Sequence, residues 1–482
     1  MTTQSKSDLP DRADLVLIGT GFASTFFLIR YLRHAPATAR VVVLERGFLR
    51  DHQWHRDNHL GLEVRSRQTF LNRTPAKPWT TRLAFGGCSN CWWACTPRFL
   101  PEDFEMNSRY GIAKNWPLGY DELEPYYCDA EDVMSASGAA NALMPRSRPY
   151  PLPPHKLSEP DRLLERHWPG AFFPQPTARP SRDVPGGRPR CCANGVCHQC
   201  PIDSKFTILN SCRAYYDDPR VRMLVGARVL SVDVRGAVAE GVRYSIEDRE
   251  HVVRGEVVGL GANALYVPDI LLRSGLDDGV AGRGLVEQVS AVVQVDLDGL
   301  DNFQGSTSIT GHGYPFYAGT HRRDRAAALI ETWNLPQLRD IRGRWRQYLK
   351  LKFVYEDLPQ DQNRVAVVPG EDRPEVIYEG PSEYVTRALA QLPADVERFL
   401  APLPVERYEI QKPAFATEGH ILGTTPMGND PKSSVVDRNQ VHHRVRNLVV
   451  LGGGVFPTIS PANPTLTISA LSLRAADRLV RS

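Results

Sequence analysis

Seven of the nine cysteines lie in two short segments, and clustered thiols of this kind can bind a metal ion or carry out redox chemistry. Three lie between Cys88 and Cys95, and four lie between Cys191 and Cys200. Thiolates are soft ligands that suit zinc or the iron of iron–sulfur clusters. Because residues 1–12 are polar and lack the apolar core of a secretory signal, we expect metal or redox chemistry and not a disulfide framework.

A glycine-containing turn near the start of the chain could hold a phosphate. The apolar residues 14–18 predict a buried strand, and residues 25–32 predict a helix. Between them, Gly19 permits a tight turn, Gly21 lets the backbone approach a pyrophosphate, and the small Ser24 allows the helix to pack on the strand. The N–H groups that open such a helix attract an anion.

A second predicted strand, residues 41–44, ends in Glu45. An acid at this position can accept hydrogen bonds from both hydroxyls of an adenosine ribose. A chance glycine turn is the alternative, but strand, helix, second strand and acid in this order favour a dinucleotide site. NAD and FAD both use this fingerprint, so the pattern does not separate them.

The composition excludes several classes of function. The chain has 482 residues, which predicts about three domains and ample room for a hydrophobic core. Its formal net charge is +3 and it has no dense basic tract, so a nucleic-acid groove or an anionic-membrane surface is disfavoured. No apolar run approaches the roughly 18 residues of a membrane span. We therefore expect a cytoplasmic protein.

Periodicity and proline content predict the helices, strands and irregular segments that position these residues. Twelve prolines crowd residues 145–190, which we interpret as an extended, mostly irregular excursion. Short strands are predicted between 222 and 258, a mixture of strand and helix over 324–355, and helices over 383–400 and 466–480. Nucleotide-binding pieces at both ends of the chain indicate a discontinuous domain with a second domain inserted.

Several blocks of the chain resemble the signatures of the glucose–methanol–choline (GMC) flavoprotein oxidoreductases, in that family's order. The blocks are Gly19 to Ser24 with Glu45, then residues 86–104, 115–127, 261–275, 419–428 and 447–472. The resemblance implies FAD in place of NAD, and the oxidation of an alcohol. It also implies an α/β fold, in which a discontinuous Rossmann-like FAD-binding domain carries an inserted α+β substrate domain on an antiparallel sheet.

The resemblance implies boundaries for these domains. The FAD-binding domain would comprise residues 1–110, 205–290 and 415–482. Residues 111–204 would form the proline-rich excursion with its cysteines, and residues 291–414 the substrate domain.

The resemblance also implies which residues contact FAD. They are Gly19, Gly21, Ser24, Glu45, Arg46, Gly86, Gly87, Ser89, Asn90, Cys91, Val229, Gly261, Gly453, Gly454, Pro464 and Thr465. Cys91 stands where some sugar-oxidising relatives carry a histidine bonded covalently to the flavin. A cysteinyl–flavin bond and a small buried cysteine beside the ring are the two alternatives for it.

His420 and Asn463 correspond to the two side chains that face the flavin in the family. Alcohol oxidation removes a proton from O–H and a hydride from C–H, and a neutral imidazole can accept the proton. An asparagine amide can hold the alcohol oxygen and orient the C–H bond. The alternatives are a core histidine for His420 and a helix N-cap for Asn463.

The second cysteine segment resembles the cluster-binding segment of the iron–sulfur GMC dehydrogenases. By that match, Cys191, Cys192 and Cys197 are ligands of a three-iron (3Fe-4S) cluster. Cys200 would make a four-iron (4Fe-4S) cluster possible, so the cluster type stays open. A zinc site held by all four thiolates is the competing interpretation, although adjacent cysteines suit a zinc tetrahedron poorly.

Together these features predict an FAD-dependent dehydrogenase that oxidises a CH–OH group of a carbohydrate, polyol or aminoglycoside. His420 would act as the base, and electrons would leave through the iron–sulfur cluster to an external acceptor or an electron-transfer protein. Two alternatives remain. One is an oxygen-using alcohol oxidase with a structural cluster. The other is a zinc-bound, non-catalytic binding protein, which the retention of His420 and Asn463 disfavours.

Overall fold

The structure, a computed structural model, describes residues 9–58, 62–412, 414 and 417–481. Its strands, in chain order, are β1 (Arg12–Ile18), β2 (Val41–Glu45), β3 (Leu71–Asn72), β4 (Phe172–Pro174), β5 (Val221–Val225), β6 (Arg228–Arg235), β7 (Val238–Ile246), β8 (Arg249–Leu260), β9 (Val289–Leu297), β10 (Ile309–Gly313), β11 (Ala328–Trp333), β12 (Tyr348–Tyr355), β13 (Arg364–Ala366), β14 (Glu375–Ile377), β15 (Val405–Ile410) and β16 (Leu448–Val450). Its helices are α1 (Phe22–His34), α2 (His52–Asp57), α3 (Met106–Tyr110), α4 (Tyr120–Met134), α5 (Glu159–His167), α6 (Ile208–Ser211), α7 (Arg213–Tyr216), α8 (Asn263–Arg273), α9 (Glu383–Leu400) and α10 (Thr465–Arg481).

The first sheet is assembled from distant parts of the chain. Its strand order is β5-β2-β1-β8-β7-β6, and β16 lies beside β8. The strands β5, β2, β1, β8 and β16 run parallel, whereas β6 and β7 are antiparallel to their neighbours. All five residues of β2 are buried, as expected for a parallel sheet covered on both faces. Helix α10 packs against both α1 and α4 over this sheet.

The second sheet is antiparallel, with the order β15-β9-β12-β11-β10-β4. Helix α9 packs on it, because its Val396 and Phe399 share a hydrophobic core with Leu351 and Phe353 of β12. The predicted α/β class is confirmed: a discontinuous parallel sheet is combined with an antiparallel sheet that carries helices. The strands β13, β14 and β3 form a small third sheet.

One of two local predictions was wrong. Residues 145–190 were predicted to be an extended, mostly irregular excursion, and this is confirmed, with α5 and β4 as the regular elements within them. The signal for α5 is present in the sequence, because Ser158 and Asp161 form a reciprocal capping box at its start. Residues 324–355 were predicted to mix strand and helix, but they form the paired strands β11 and β12. Their residues are buried against neighbouring strands, and this packing outweighs helical propensity.

No helix within the described ranges has both the length and the apolar character that a membrane span requires. Helix α9 illustrates this, because its 18 residues include Glu383, Arg387 and Glu397 on an exposed face.

Candidate active site

A cavity of about 620 Å³ opens where the two sheets meet. The parallel sheet contributes Gly19 and Glu45, which lie at the carboxyl ends of β1 and β2. The antiparallel sheet contributes Trp333 of β11 and Lys352 of β12, and His420 lines the same cavity. Carboxyl ends of parallel strands are the usual ligand-binding edge of such sheets.

The turn after β1 has the geometry of a phosphate cradle. Gly19 has φ +84°, and a Cβ atom there would lie 2.7 Å from the carbonyl oxygen of Gly261. A Cβ atom on Gly21 would meet nothing within 4 Å, so that side of the turn is open. Helix α1 begins at Phe22 and no side chain caps its first turn. Its terminal N–H groups are therefore available to an anion in the cavity.

Glu45 is buried at the cavity wall and fixes the turn. Its Oε2 accepts hydrogen bonds from the amide and hydroxyl of Thr20, at 3.0 and 2.7 Å, and its Oε1 accepts one from the amide of Gly47 at 2.7 Å. Burial raises the pKa of this carboxyl group. A carboxylate can accept about four hydrogen bonds, so capacity for a ribose hydroxyl remains.

Most of the residues expected to contact FAD line this cavity. They are Gly19, Gly21, Glu45, Arg46, Gly87, Cys91, Val229, Gly261, Gly453, Pro464 and Thr465.

The other expected contacts, Ser24, Gly86, Ser89, Asn90 and Gly454, lie behind the wall and support it. The hydroxyl of Ser24 donates to the Ile18 carbonyl at 2.8 Å, which joins α1 to β1. Ser89 donates to the Gly86 carbonyl at 2.6 Å, and Asn90 donates to the Phe85 carbonyl at 2.8 Å. A Cβ atom on Gly454 would lie 2.7 Å from the Thr425 hydroxyl, so this glycine permits close packing.

His420 is held by two consecutive residues that precede β9. One carboxylate oxygen of Glu287 accepts hydrogen bonds from the backbone amides of Glu418 and His420, at 2.9 and 3.0 Å. The side-chain oxygen of Gln288 lies 2.5 Å from Nδ1 of the His420 imidazole. Lys77 forms a buried ion pair with the same Glu287 carboxylate. The histidine is therefore fixed through both its backbone and its ring.

The orientation of Gln288 determines which imidazole nitrogen is basic. Its Nε2 donates to the carbonyl oxygens of Ser460 and Ala462, at 2.6 and 2.9 Å. Since carbonyl oxygens only accept, the amide oxygen of Gln288 must face His420, and Nδ1 must carry the proton. The neutral ring then has its lone pair on Nε2.

Burial lowers the pKa of His420 to about 4, and the nearby Lys352 acts in the same direction. Glu418 opposes this shift, but its carboxylate is shared with Lys352 at 2.6 Å and with the hydroxyl of Ser290. Near neutral pH the imidazole is therefore uncharged and able to accept a proton.

Asn463 lines the same cavity as His420 and interacts through its side chain with Glu331 of β11. Among the described residues, the Oδ1 atom of Asn463 has no hydrogen-bond partner, so it does not cap α10. Burial raises the pKa of Glu331 to about 7. The indole of Trp333 donates to the same carboxylate at 3.1 Å. The amide of Asn463 thus faces the cavity from a polar, partly charged wall.

Comparisons with known proteins agree with this geometry. A model of the GMC oxidoreductase family matches residues 382–472. The chain is 26% identical over 540 residues to the fructose dehydrogenase large subunit of Gluconobacter japonicus, covering 97% of this chain and 98% of that protein. It is 28% identical over 435 residues to paromamine 6'-oxidase of Streptomyces fradiae, covering 83% and 78%. Residues 382–472 thus carry the match to the GMC oxidoreductase family, and nearly the whole chain is similar to the fructose dehydrogenase large subunit.

Among solved structures, pyridoxine 4-oxidase from Mesorbium loti shares the fold of this chain. Its TM-score is 0.69 at 18% sequence identity, covering 98% of this chain and 99% of that one. The predicted resemblance to GMC oxidoreductases and the predicted enzyme class, an FAD-dependent oxidoreductase of CH–OH donors, are confirmed, whereas the predicted resemblance to the iron–sulfur members of that family is not. The family implies FAD, and the described residues fit it: the Gly19–Gly21 cradle is open to the cavity, and the buried Nε and Nη2 atoms of Arg82 have no partner among them.

Sequence reasoning missed several side chains of this site. They are Arg82, Glu287, Gln288, Glu331, Trp333 and Lys352. Only weak signals could have found them. Charged residues within apolar strands, such as Glu331 and Lys352, are unusual in a buried sheet. Gln288 is not part of a recognisable sequence motif, and its role depends on the fold that brings it to His420.

The second cysteine segment lies in the loop between β4 and α6. Cys192 is exposed and Cys191 is half-buried, whereas Cys197 and Cys200 are buried. Cys191 is close enough to Cys197 to interact with it electrostatically. All four thiols are free, but within the described ranges no three His, Cys, Asp or Glu side chains are grouped to hold a metal ion. The four thiols therefore do not form a ligand set in this arrangement.

The cysteine loop packs against the cavity wall. The His198 ring lies 6.3 Å from the ring of Trp93, which lines the cavity. The buried ammonium of Lys205 donates to the carbonyls of Asn90, Trp92 and His198, at 3.1, 2.9 and 2.8 Å. Burial lowers the pKa of Lys205 to about 8. This lysine joins the loop to the segment that carries Cys91.

Proposed function

We propose that this enzyme oxidises a CH–OH group of a sugar-like alcohol, with His420 as the base and Asn463 as the group that holds the alcohol oxygen. The observation that carries the proposal is the His420–Gln288 contact. It presents a neutral imidazole with a basic Nε2 to the cavity that also contains the nucleotide cradle.

In this reaction the hydroxyl proton of the alcohol passes to a side chain of the protein. Nε2 of His420 accepts the hydroxyl proton of the alcohol, while Nδ1–H stays bonded to Gln288. The amide of Asn463 donates to the alcohol oxygen and orients the carbinol C–H bond. Glu331 supports this by fixing the orientation of the amide. General-base help of this kind contributes about 10²–10⁴-fold to the rate.

When bound, FAD supplies the hydride acceptor for the carbinol C–H. The residues that would hold it are those of the cradle, Gly19 and Gly21 with the first turn of α1, and the carboxylate of Glu45. We propose that residues 1–110, 205–290 and 415–482 form the FAD-binding domain and that residues 291–414 form the substrate domain. Residues 111–204 carry the cysteine loop.

The substrate class is inferred from the relatives. The fructose dehydrogenase large subunit and paromamine 6'-oxidase are named for a sugar and for an aminoglycoside. The cavity near His420 has polar walls, with Glu331, Lys352 and Lys350, that can bind the hydroxyl or amino groups of such molecules. We therefore propose a carbohydrate, polyol or aminoglycoside hydroxyl as the reacting group.

For the electron acceptor we propose two routes. Transfer through an iron–sulfur cluster at Cys191, Cys192, Cys197 and Cys200 is supported by the free thiols and by the packing of their loop on the cavity wall. These thiols are not grouped as ligands within the described residues. Direct use of oxygen is the alternative. Iron and sulfide analysis of anaerobically purified protein shows whether a cluster is present. Bleaching of that cluster by the alcohol supports the first route, and peroxide production with an unchanged cluster supports the second.

The test of the proposed function is anaerobic bleaching of the flavin absorbance by a panel of sugars, polyols and aminoglycosides. We expect at least one of these alcohols to reduce the flavin stoichiometrically. If none of them bleaches the flavin while dithionite does, the proposed function is wrong.

A further inference from the structure

Cys88 and Cys91 both line the cavity wall, Cys88 within the 3₁₀ turn Gly87–Asn90 and Cys91 as the residue that caps its end. Residues i and i+3 of such a turn eclipse each other, with about 6 Å between their Cα atoms. Disulfide-bonded residues have Cα separations of roughly 4.4–6.8 Å. The Cys91 amide donates to the Cys88 carbonyl at 3.1 Å, which fixes the turn. The backbone therefore holds these two thiols at the separation that a disulfide needs.

The surroundings of the pair favour a thiolate. Arg82 interacts electrostatically with both sulfurs, and its buried Nε and Nη2 atoms have no hydrogen-bond partner in the described part of the chain. The Thr81 hydroxyl lies 3.9 Å from Sγ of Cys88. A nearby cation and hydrogen-bond donors are the usual means of stabilising a reactive thiolate.

The two thiols differ in acidity. The interaction with Cys91, helped by Arg82 and Thr81, lowers the pKa of Cys88 to about 6. The same interaction and burial raise the pKa of Cys91. One sulfur is thus a nucleophile at neutral pH, and its neighbour is a protonated resolving thiol. This asymmetry is typical of Cys-X-X-Cys redox pairs.

We propose that Cys88 and Cys91 form a redox-active dithiol–disulfide pair in the wall of the FAD cavity, with low-molecular-weight disulfides as its oxidant. The Cys88 thiolate attacks one sulfur of the disulfide RSSR, so that a mixed disulfide forms and RS⁻ leaves. Cys91 then attacks the Cys88 sulfur, the mixed disulfide breaks, and the second RS⁻ leaves. The proton of Cys91 and one proton from solvent pass to the two RS⁻ leaving groups. One RSSR is reduced to two RSH, and the two protein thiols are oxidised to one disulfide. The proposal does not depend on which alcohol is oxidised.

Cys95 provides a matched control within the same segment. It also lines the cavity, but it is buried, and burial raises the pKa of its thiol. Cys95 therefore shares the peptide and the cavity with the pair but has no neighbouring thiol among the described residues, and burial outweighs the effect of Arg179 and Lys352 on its acidity. At pH 7, we expect iodoacetamide to alkylate Cys88 roughly tenfold or more faster than Cys95.

The experiment equilibrates the FAD-containing enzyme in buffers of reduced and oxidised glutathione, alkylates the remaining thiols and measures the mass of the tryptic peptide 83–98. This peptide contains Cys88, Cys91 and Cys95. Under oxidising conditions we expect a loss of two hydrogens, with alkylation only at Cys95. Cys95→Ser should keep this behaviour, whereas Cys88→Ser and Cys91→Ser should abolish the internal disulfide.

Three results would overturn the proposal. They are full alkylation of both thiols at every glutathione ratio, a disulfide that includes Cys95, and a peptide that carries FAD covalently on Cys91. A second measurement follows the iodoacetamide rate of Cys88 against pH, where we expect an inflection near pH 6. Arg82→Met should move this inflection upward, and Arg82→Lys should largely preserve it. An inflection that Arg82→Met leaves unchanged would contradict the role assigned to the guanidinium.

Discussion

The two halves of the cavity are built in different ways. The nucleotide half is a backbone surface, in which Gly19, Gly21 and the first turn of α1 leave room for a phosphate, and Glu45 is the acid beside them. The catalytic half consists of side chains from separate elements that hold His420 through hydrogen bonds. Binding a phosphate requires space and N–H groups, whereas proton transfer requires one atom in a fixed position and protonation state.

The two halves should therefore fail differently when they are altered. A substitution in the nucleotide half changes the fold or the FAD content. A substitution in the catalytic half leaves FAD bound and changes the rate of flavin reduction.

The largest effect on rate is expected for His420→Ala. Without the imidazole no group at this position accepts the alcohol proton, and we expect flavin reduction to slow by about 10²–10⁴-fold. The FAD content should stay stoichiometric, because the cradle is untouched. Stopped-flow bleaching of the flavin under anaerobic conditions measures the rate. His251 lies outside the cavity, so His251→Ala serves as the control. A comparable slowing of flavin reduction in this control would show that the effect is not specific to His420.

The glycines of the cradle offer a matched pair of alanine substitutions. Gly19→Ala places a Cβ atom 2.7 Å from the Gly261 carbonyl, at a φ of +84° that costs about 1–2 kcal/mol for an L-residue, and should lower the free energy of unfolding. Gly21→Ala meets open space, so the fold should persist while the new methyl group weakens FAD binding. Thermal unfolding and FAD fluorescence separate the two effects. Equal destabilisation by both variants would show that the open side of Gly21 is not the phosphate side.

The nucleotide half could be predicted from sequence because it is local. The strand, the glycine turn and the helix are consecutive, and Glu45 follows the next strand, so short-range patterns place all of them. The cavity lining contains Gly19, Gly21 and Glu45. Ser89 and Asn90 lie in the same family-like segment but face inward, because the 3₁₀ turn directs them to backbone carbonyls behind the wall.

The catalytic half could be predicted only in part. His420 and Asn463 came from a family resemblance, not from spacing. Gln288 and Glu331 reach them through the register of β9, β11 and β12, and this long-range pairing leaves no short motif in the sequence. The cysteine loop shows the same limit, because spacing alone could not tell how its four thiols are arranged in space.

Gln288 tests whether the catalytic half depends on one tautomer. Gln288→Leu removes the acceptor for Nδ1–H, and we expect flavin reduction to slow about two- to tenfold, with a smaller change in KM. Gln288→Glu places a carboxylate beside the ring, which stabilises the imidazolium and raises the pKa of His420 above its value of about 4. The rate should then begin to fall at a higher pH as the solution is acidified.

The pH profile of flavin reduction between pH 4 and 8 distinguishes this role from a structural one. Gln360→Leu, which removes a half-buried amide that bonds to Gly380 in a loop outside the cavity, controls for general effects. A profile of Gln288→Glu that matches the wild type, or an equal slowing by Gln360→Leu, would show that Gln288 only fills space.

The smallest effect is expected at Glu331, which couples the substrate side of the cavity to pH. Its pKa is raised to about 7 by burial, so it is mostly ionised at pH 8 and mostly protonated at pH 6. The ionised form accepts a hydrogen bond from Asn463 and leaves the second N–H of that amide for the alcohol oxygen. The protonated form can instead donate to Oδ1 of Asn463 and turn the amide. We therefore expect the KM for the alcohol to rise about two- to fivefold from pH 8 to pH 6.

Glu331→Gln does not titrate and should give a constant KM over this range. A KM of the variant that still changes with pH would assign the titration to another group.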